Sequence, residues 1–251
     1  MIVIAHLSDI HIDGGHRASA RTRAVMDYLE DLPYDLDAVL VTGDIADHAL
    51  PAEYEQARRL LASRHPVLVC PGNHDERAAF RQFLLGQPPS TAPVDQVRQT
   101  GDFVIALCDS SVPGKDEGFL EDETLAWLED VLEQAPAEVP VLVGFHHPPA
   151  VLHEPFIDGI RQFGVERLAA LTARHPNLTA FLCGHAHTPA ATTFAGRPLL
   201  VAPGVVSTLR LPWEHHAHPE DYIHLDQPPA LAFHVLDDEG RLTTHFRCLT
   251  D

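Results

Sequence analysis

The sequence predicts an α/β domain, and three observations carry that expectation. Over the first two-thirds of the chain, short apolar runs alternate with amphipathic stretches, as in repeated βα units. The last third reads as strands and loops. No linker or low-complexity segment divides the 251 residues, a length normal for one large α/β domain. Residues 1–251 are therefore read as a single domain, in which residues 205–251 form a C-terminal segment of a loop and a hairpin.

The elements follow in order. A strand over residues 2–7 leads to a helix over 18–30, and a strand over 38–42 leads to a helix over 52–64. In PAEYEQARRLLASR, Pro51 suits the first helical turn, and Tyr54, Ala57, Leu60 and Leu61 fall on one face. A strand at 67–70 precedes a helix at 76–85, and a strand at 103–108 precedes a helix at 121–134. A strand at 139–145, a helix at 162–173 and a strand at 178–183 complete the alternating part. Strands at 198–202, 230–236 and 242–248 follow, the last two joined by a turn at Asp238, Glu239 and Gly240. A second sheet packed on the first would account for this final group.

Composition narrows the partners. The formal charge is −19, from 17 basic and 36 acidic side chains. Such a surface repels duplex DNA, and there is no basic stripe, so a nucleic-acid polymer is not an expected partner. A small anion can still bind where a metal ion supplies local positive charge. Cys70, Cys108, Cys183 and Cys248 are widely spaced, each in or beside an apolar run, and read as buried free thiols in a reducing compartment. The chain starts MIVIAHLSD, a strand rather than a basic leader, and holds no apolar stretch of membrane-spanning length. The expectation is a cytoplasmic protein with no membrane partner.

Five polar clusters each sit just past an expected strand: SDIH (Asp9, His11), TGDIAD (Asp44), GNHD (Asn73, His74, Asp75), GFHHPP (His146, His147) and CGHAH (His185, His187). Ligands of open α/β sheets bind outside the carboxyl ends of the strands, so these groups would converge if the strands lie side by side. In extended segments, residues two apart point the same way, which would aim Asp9 with His11 and His185 with His187. Imidazoles and carboxylates together make a metal site with hard or borderline donors, and no cysteine lies among them to suggest a structural zinc knuckle. Asp9, His11, Asp44, Asn73, His146, His185 and His187 are seven donors, too many for one catalytic ion with an open position. They suit two ions sharing a carboxylate, and Asp44, isolated behind a glycine turn, is the candidate bridge.

At these motifs the chain resembles the calcineurin-like metallophosphoesterases, whose pattern is Asp-x-His, Gly-Asp, Gly-Asn-His-Asp/Glu, His and Gly-His-x-His in that order. Within them it is most similar to the class III cyclic nucleotide phosphodiesterases and related glycerophosphodiesterases, through GNHDERAAFRQFL, DSSVPGKDEG and HHPP. The likeness runs from about Ile2 to Gly204. It implies a four-layer α/β/β/α sandwich of two mixed sheets flanked by helices, the metallo-dependent phosphatase fold. It implies one ion held by Asp9, His11, Asp44 and His187, and another by Asp44, Asn73, His146 and His185. Two divalent or trivalent ions are expected, drawn from manganese, iron, zinc or cobalt.

The function implied is hydrolysis of small phosphodiesters, with 3′,5′-cyclic nucleotides such as cyclic AMP as first substrate, by attack of a metal-activated hydroxide on phosphorus. A glycerophosphodiesterase or a broad phosphomonoesterase is the alternative. A non-catalytic metal-binding interaction protein is the alternative of another kind. Asn73 and His74 would meet the substrate. His74 would donate to a phosphoryl oxygen or protonate the leaving group, and Asp75 would hold the His74 ring or cap the next helix. His147 would support the site from behind it, and His6 would pack in the core. His215, His216 and His218 read as an exposed polar loop or as a lid or homodimer contact.

Overall fold

The computed structural model describes residues 1–214 and 222–250, so the loop histidines His215, His216 and His218 lie outside the described residues. In chain order the elements are β1 (Ile2–Leu7), α1 (His16–Glu30), β2 (Ala38–Thr42), α2 (Pro51–Leu60) and β3 (Val67–Cys70). Next come α3 (Arg77–Ala79), which runs into a π-helical turn at Phe80–Leu85, then β4 (Gln96–Gln99), β5 (Val104–Leu107), β6 (Gly118–Phe119) and α4 (Asp122–Gln134). They are followed by β7 (Val141–Gly144), α5 (Pro155–Gly159), β8 (Gln162–Phe163), α6 (Val165–Arg174) and β9 (Leu178–Cys183). The chain ends with β10 (Ala190–Phe194), β11 (Arg197–Val201), β12 (Thr208–Leu209), β13 (Ile223–His224), β14 (Ala230–Leu236) and β15 (Leu242–Cys248).

Two sheets face each other. One has the order β15-β14-β1-β2-β3, the other β10-β11-β9-β7-β5-β4. The β1-β2-β3 and β5-β7-β9-β11 pairings are parallel, and the outer strands are antiparallel, so both sheets are mixed. Strand alternation sorts side chains into layers. From β1, Ala5 and Leu7 join Val25, Met26 and Leu29 of α1, while Ile4 joins Leu142 and Leu182 between the sheets. On the far side Val141 and Val143 pack with Leu128 of α4 and Leu168 and Leu171 of α6. The result is the expected α/β/β/α sandwich. Among the described residues no helix is long and apolar enough to cross a membrane.

Several local expectations need correction. The C-terminal hairpin does not found the second sheet; β14 pairs with β1 and widens the first. Its turn is where the sequence puts it, with Gly240 at φ +77°. The helix expected at 162–173 begins at Val165, because Gln162–Phe163 pairs with β6 and Gly164 takes a positive φ before the first helical turn. Glu76, not Asp75, caps α3, accepting from the amides of Ala78 (3.1 Å) and Ala79 (2.8 Å). The edge strands β4 (QVRQ) and β10 (AATTF) carry no apolar run, since a strand paired on one side needs only its neighbour's ladder. Cys70, Cys108 and Cys183 are buried, but Cys248 is exposed on the edge strand β15.

Asp95 gives the fold a pH dependence. Its carboxylate accepts from the Asp109 amide (2.8 Å) and the Thr124 hydroxyl (3.1 Å), tying β4 to β5 and α4. Burial pushes its pKa up to about 6, with Asp109 adding to the rise against the bonds to Asp109 and Thr124. A carboxyl whose folded pKa exceeds its unfolded one binds extra protons only when folded, so stability rises as pH falls through 6 toward 4 and is lost on the way back. We expect Asp95→Asn to flatten the urea midpoint between pH 5 and 7; a slope equal to the wild type's would refute this assignment.

Candidate metal centre and active site

Two sheets, not one, bring the five polar clusters together. SDIH, TGDIAD and GNHD follow β1, β2 and β3 of the first sheet; HHPP and GHAH follow β7 and β9 of the second. The carboxyl ends of these strands share one edge of the sandwich, and the donors meet there.

The route to that meeting is not extended backbone. Asp9 (φ +54°), His11 (+40°), Asp44 (+49°), His185 (+68°) and His187 (+54°) all lie in the left-handed region. They are five of the eight non-glycine residues with positive φ among the described residues. Each costs on the order of 1 kcal/mol, and such strain gathers where geometry is held for use. Inter-loop bonds impose it: the Asp9 amide donates to the Gly43 carbonyl (3.2 Å), and the His11 amide to that of Asp44 (2.9 Å). Close approach also requires two glycines. A Cβ on Gly43, itself at φ +89°, would lie 2.3 Å from His146 Nδ1, and one on Gly72 would lie 2.2 Å from Asp44 Oδ1.

The donor atoms fall into two groups joined by Asp44. Asp9, His11, Asp44 and His187 bring their ligand atoms within 4.8 Å of one another. His11 Nε2 stands 3.3 Å from His187 Nε2, and His187 Nε2 3.4 Å from Asp9 Oδ1. On the other side His146 Nε2 lies 3.1 Å from Asn73 Oδ1 and 3.2 Å from His185 Nδ1. Asp44 Oδ2 is 3.4 Å from both His11 Nε2 and His146 Nε2, which puts one oxygen between the two groups. All seven sequence-predicted donors therefore converge.

Behind them, three histidines are anchored by Nδ1, leaving Nε2 to face inward: His11 on Asp47 Oδ1 (2.9 Å), His146 on the Thr42 carbonyl (2.7 Å) and His187 on the Ser207 hydroxyl (2.8 Å). Sequence reading missed Asp47 and Ser207. Asp47 closes the TGDIAD motif and was visible as a second carboxylate; Ser207 carries no local signal. His147 packs against His146 and His185, with its own nitrogens bonded to Ser110 Oγ (2.8 Å) and the Asp116 carbonyl (3.1 Å). His6 sits between the sheets, bonded to His234 (3.0 Å) and Thr42 (2.8 Å).

The expected partnership of Asp75 with His74 is not what forms. The His74 ring donates from Nδ1 to the Asp47 carbonyl at 2.9 Å, with the Asp47 carboxylate 3.6 Å away. Asp75 instead accepts from the amides of Gly72 (2.9 Å), Ile45 (3.1 Å) and Ala46 (3.1 Å), stitching the GNHD loop to the TGDI loop. Burial, seconded by Asp44, raises its pKa to about 6 against those three bonds. The chain turns at Pro71-Gly72, and the Asp75 side chain folds back under the turn while His74, 40% exposed, points outward.

These residues fit metal ions. Asp9 Oδ1 is buried with no hydrogen-bond partner among the described residues, an arrangement costly unless something binds it. Burial lowers the pKa of His187 and that of His185 strongly, favouring the neutral, ligand form of imidazole. Burial opposes charge on His146, but Asp44 and Asp9 overcome it and hold its pKa up at about 9. Burial likewise opposes charge on Asp44, and His146 and His11 overcome it and keep that carboxylate ionised. Carboxylates here attract positive charge strongly enough to defeat burial.

Comparison with known proteins agrees. The family model for calcineurin-like phosphoesterases matches residues 2–189. The chain is 34% identical over 240 residues to the glycerophosphodiester phosphodiesterase GpdQ of Enterobacter lignolyticus, covering 91% of this chain and 82% of that protein. It is 35% identical over 214 residues to a cAMP/cGMP dual specificity phosphodiesterase of Mycobacterium tuberculosis, covering 80% of this chain and 66% of that one. Among solved structures, a dimetal phosphatase from Danio rerio superposes with a TM-score of 0.74 at 14% identity, over 98% of this chain and 96% of the other.

Proposed function

The chain belongs to the calcineurin-like phosphoesterase family, and from that premise we propose that it is a dinuclear metal-dependent phosphodiesterase acting on small phosphodiesters, with 3′,5′-cyclic nucleotides as first substrates. The observation that carries the two-ion reading is the Asp44 oxygen placed 3.4 Å from a histidine of each donor group. Relatives named for cyclic nucleotides and for glycerophosphodiesters support the diester class and keep a glycerophosphodiesterase as the alternative. The −19 charge supports a small substrate over a nucleic-acid polymer. The four free cysteines support a reducing compartment such as the cytoplasm.

Asp9, His11 and His187 would hold one ion, Asn73, His146 and His185 the other, and Asp44 both. Manganese, iron, zinc or cobalt suits these donors. When bound, two such cations offset the charge of a phosphodiester and make a water acidic enough to attack phosphorus near neutral pH. The chain's own part is orientation and proton delivery. Asp47, Thr42 and Ser207 fix which imidazole nitrogen faces inward. His74, with Nδ1 on the Asp47 carbonyl, presents Nε2 to the cleft. Protonated there, it would donate to a phosphoryl oxygen or to the departing alkoxide. Asp47, not Asp75, balances that charge, and Asp75 keeps the loop in place.

The test is turnover with added manganese on bis(p-nitrophenyl) phosphate, p-nitrophenyl phosphate and cyclic AMP. Metal-dependent cleavage of the diester and of cyclic AMP is expected; cleavage of the monoester alone would overturn the diesterase reading. His74→Ala should keep both metals by elemental analysis and lose about 10²–10⁴-fold in kcat, the range for a positioned acid. Loss of metal in that variant would make His74 a ligand instead.

A further inference from the structure

The cleft above the donors has a volume of about 570 Å³, and one side of it is apolar. Phe156, Ile157 and Ile160, in and just past α5, line it together with Val206, Leu209 and Tyr222. The rings of Phe156 and Tyr222 meet there, 5.2 Å between centroids and tilted by 44°. Phe156 is 52% exposed, so its ring is not spent on the core.

The charges around this wall are equally specific. Arg17 is the one arginine or lysine that lines the cleft among the described residues. Its guanidinium donates to the carbonyls of Val206 and Leu225, both on the wall side. One helical turn on, Arg21 donates to the carbonyls of Val205 (2.7 Å) and Gln227 (2.7 Å). Arg17 and Arg21, two of the three arginines of α1, are thus committed to holding the wall against the helix. Besides Asp47, His74 and the donors, the other charged side chains at the cleft are Asp13 and Asp116.

We propose that this wall, centred on Phe156, Ile160 and Tyr222, determines specificity by binding one ester group of the substrate: an uncharged, flat or apolar group is accepted, and a group bearing a second negative charge is rejected. The inference rests on the phosphodiesterase reading for its substrate, though the wall itself stands without the metals. A flat apolar group covers the wall and exchanges its own hydration for aromatic contact. An anionic group in the same place loses hydration beside Asp13 and Asp116 and finds no uncommitted guanidinium to pair with.

Three methyl phosphodiesters test this as competitors of bis(p-nitrophenyl) phosphate turnover: dimethyl phosphate, thymidine 5′-methyl phosphate and 2-carboxyethyl methyl phosphate. The thymidine ester should inhibit best and the carboxyethyl ester worst. Phe156→Ala and Ile160→Asp should each raise the inhibition constant of the thymidine ester about tenfold, and shift that of dimethyl phosphate by no more than about twofold. Equal shifts for all three, or none, would overturn the proposal. A second readout needs neither metal nor turnover: saturation-transfer NMR of thymidine with metal-free protein should show the base protons on the wild type and lose them in Ile160→Asp. Absence of turnover with the base signal present would refute the diesterase reading and keep the wall. Turnover with no base signal and equal inhibition constants would do the reverse.

Discussion

Asp44→Ala is expected to abolish metal-dependent turnover and to reduce bound metal from two ions per chain to one or none. Its carboxylate does two things at once. Oδ2 stands 3.4 Å from His11 Nε2 and from His146 Nε2, shared between the donor groups. Oδ1 accepts the backbone amide of His74 at 3.0 Å, which fixes the loop carrying Asn73 and His74. Alanine removes the shared oxygen, leaves His11 and His146 facing a gap, and frees the loop. A fall in kcat/KM of at least about 10³-fold corresponds to ~4 kcal/mol of transition-state stabilisation. Asp44→Asn separates the two tasks, because an amide oxygen can still accept from His74 while the negative charge is gone. It should hold the loop and still bind less metal. Elemental analysis after gel filtration, paired with turnover of bis(p-nitrophenyl) phosphate, checks both. Two ions and full activity in Asp44→Ala would end the bridging assignment.

Arg77→Ala should cost about 3–5 kcal/mol of folding stability, the range for stripping one partner from a buried ion pair. Arg77 follows the GNHDE stretch directly, yet it points away from the cleft. Its Nε lies 2.8 Å from Asp109 Oδ2, with the pair 5% and 0% exposed, as an ion pair without hydrogen-bond alignment. The rest of the guanidinium donates to Glu121 Oε1 (2.9 Å) and to the carbonyls of Ser111 (2.7 Å) and Thr91 (3.2 Å). One side chain of α3, on the connection from the first sheet to the second, thus holds the start of α4 and the loop after β5. Burial already pushes the Asp109 carboxyl up, and Arg77 pulls it back. Without Arg77, Asp109 keeps a charge with no cation, or takes up a proton at the expense of its bonds from Val94 and Ser111. Urea unfolding near pH 7 measures the loss. A change under about 1 kcal/mol would show that the pair is dispensable, as some buried pairs are.

The α/β class, the strand ends and the identity and order of the seven candidate donors were legible in the sequence. Each of these is a local property: an apolar run makes a strand, and a polar group just past it is conspicuous because it must be bonded or bound. What could not be read was how the donors meet. Asp9 with His11 and His185 with His187 look like neighbours on an extended face, and they converge instead through left-handed backbone at all four residues. The sign of φ at a non-glycine residue is chosen by bonds to another loop, here from Asp9 and His11 to the Gly43 and Asp44 carbonyls, and no single segment contains both ends of those bonds.

The same reason separates Asp75 from Asp47. Adjacency in the chain suggested that Asp75 holds His74, but the turn at Gly72 sends the two side chains in opposite directions, and a residue 27 positions earlier supplies the partner. Packing likewise commits Arg17 to the carbonyls of residues 206 and 225, far away in the chain. The sequence by itself determined which chemical groups this protein brings to the candidate metal centre, because donor type is a property of each residue. Only the tertiary structure decided which atoms face inward, which partners orient them and what lines the cleft, because those depend on distances between segments far apart in the chain.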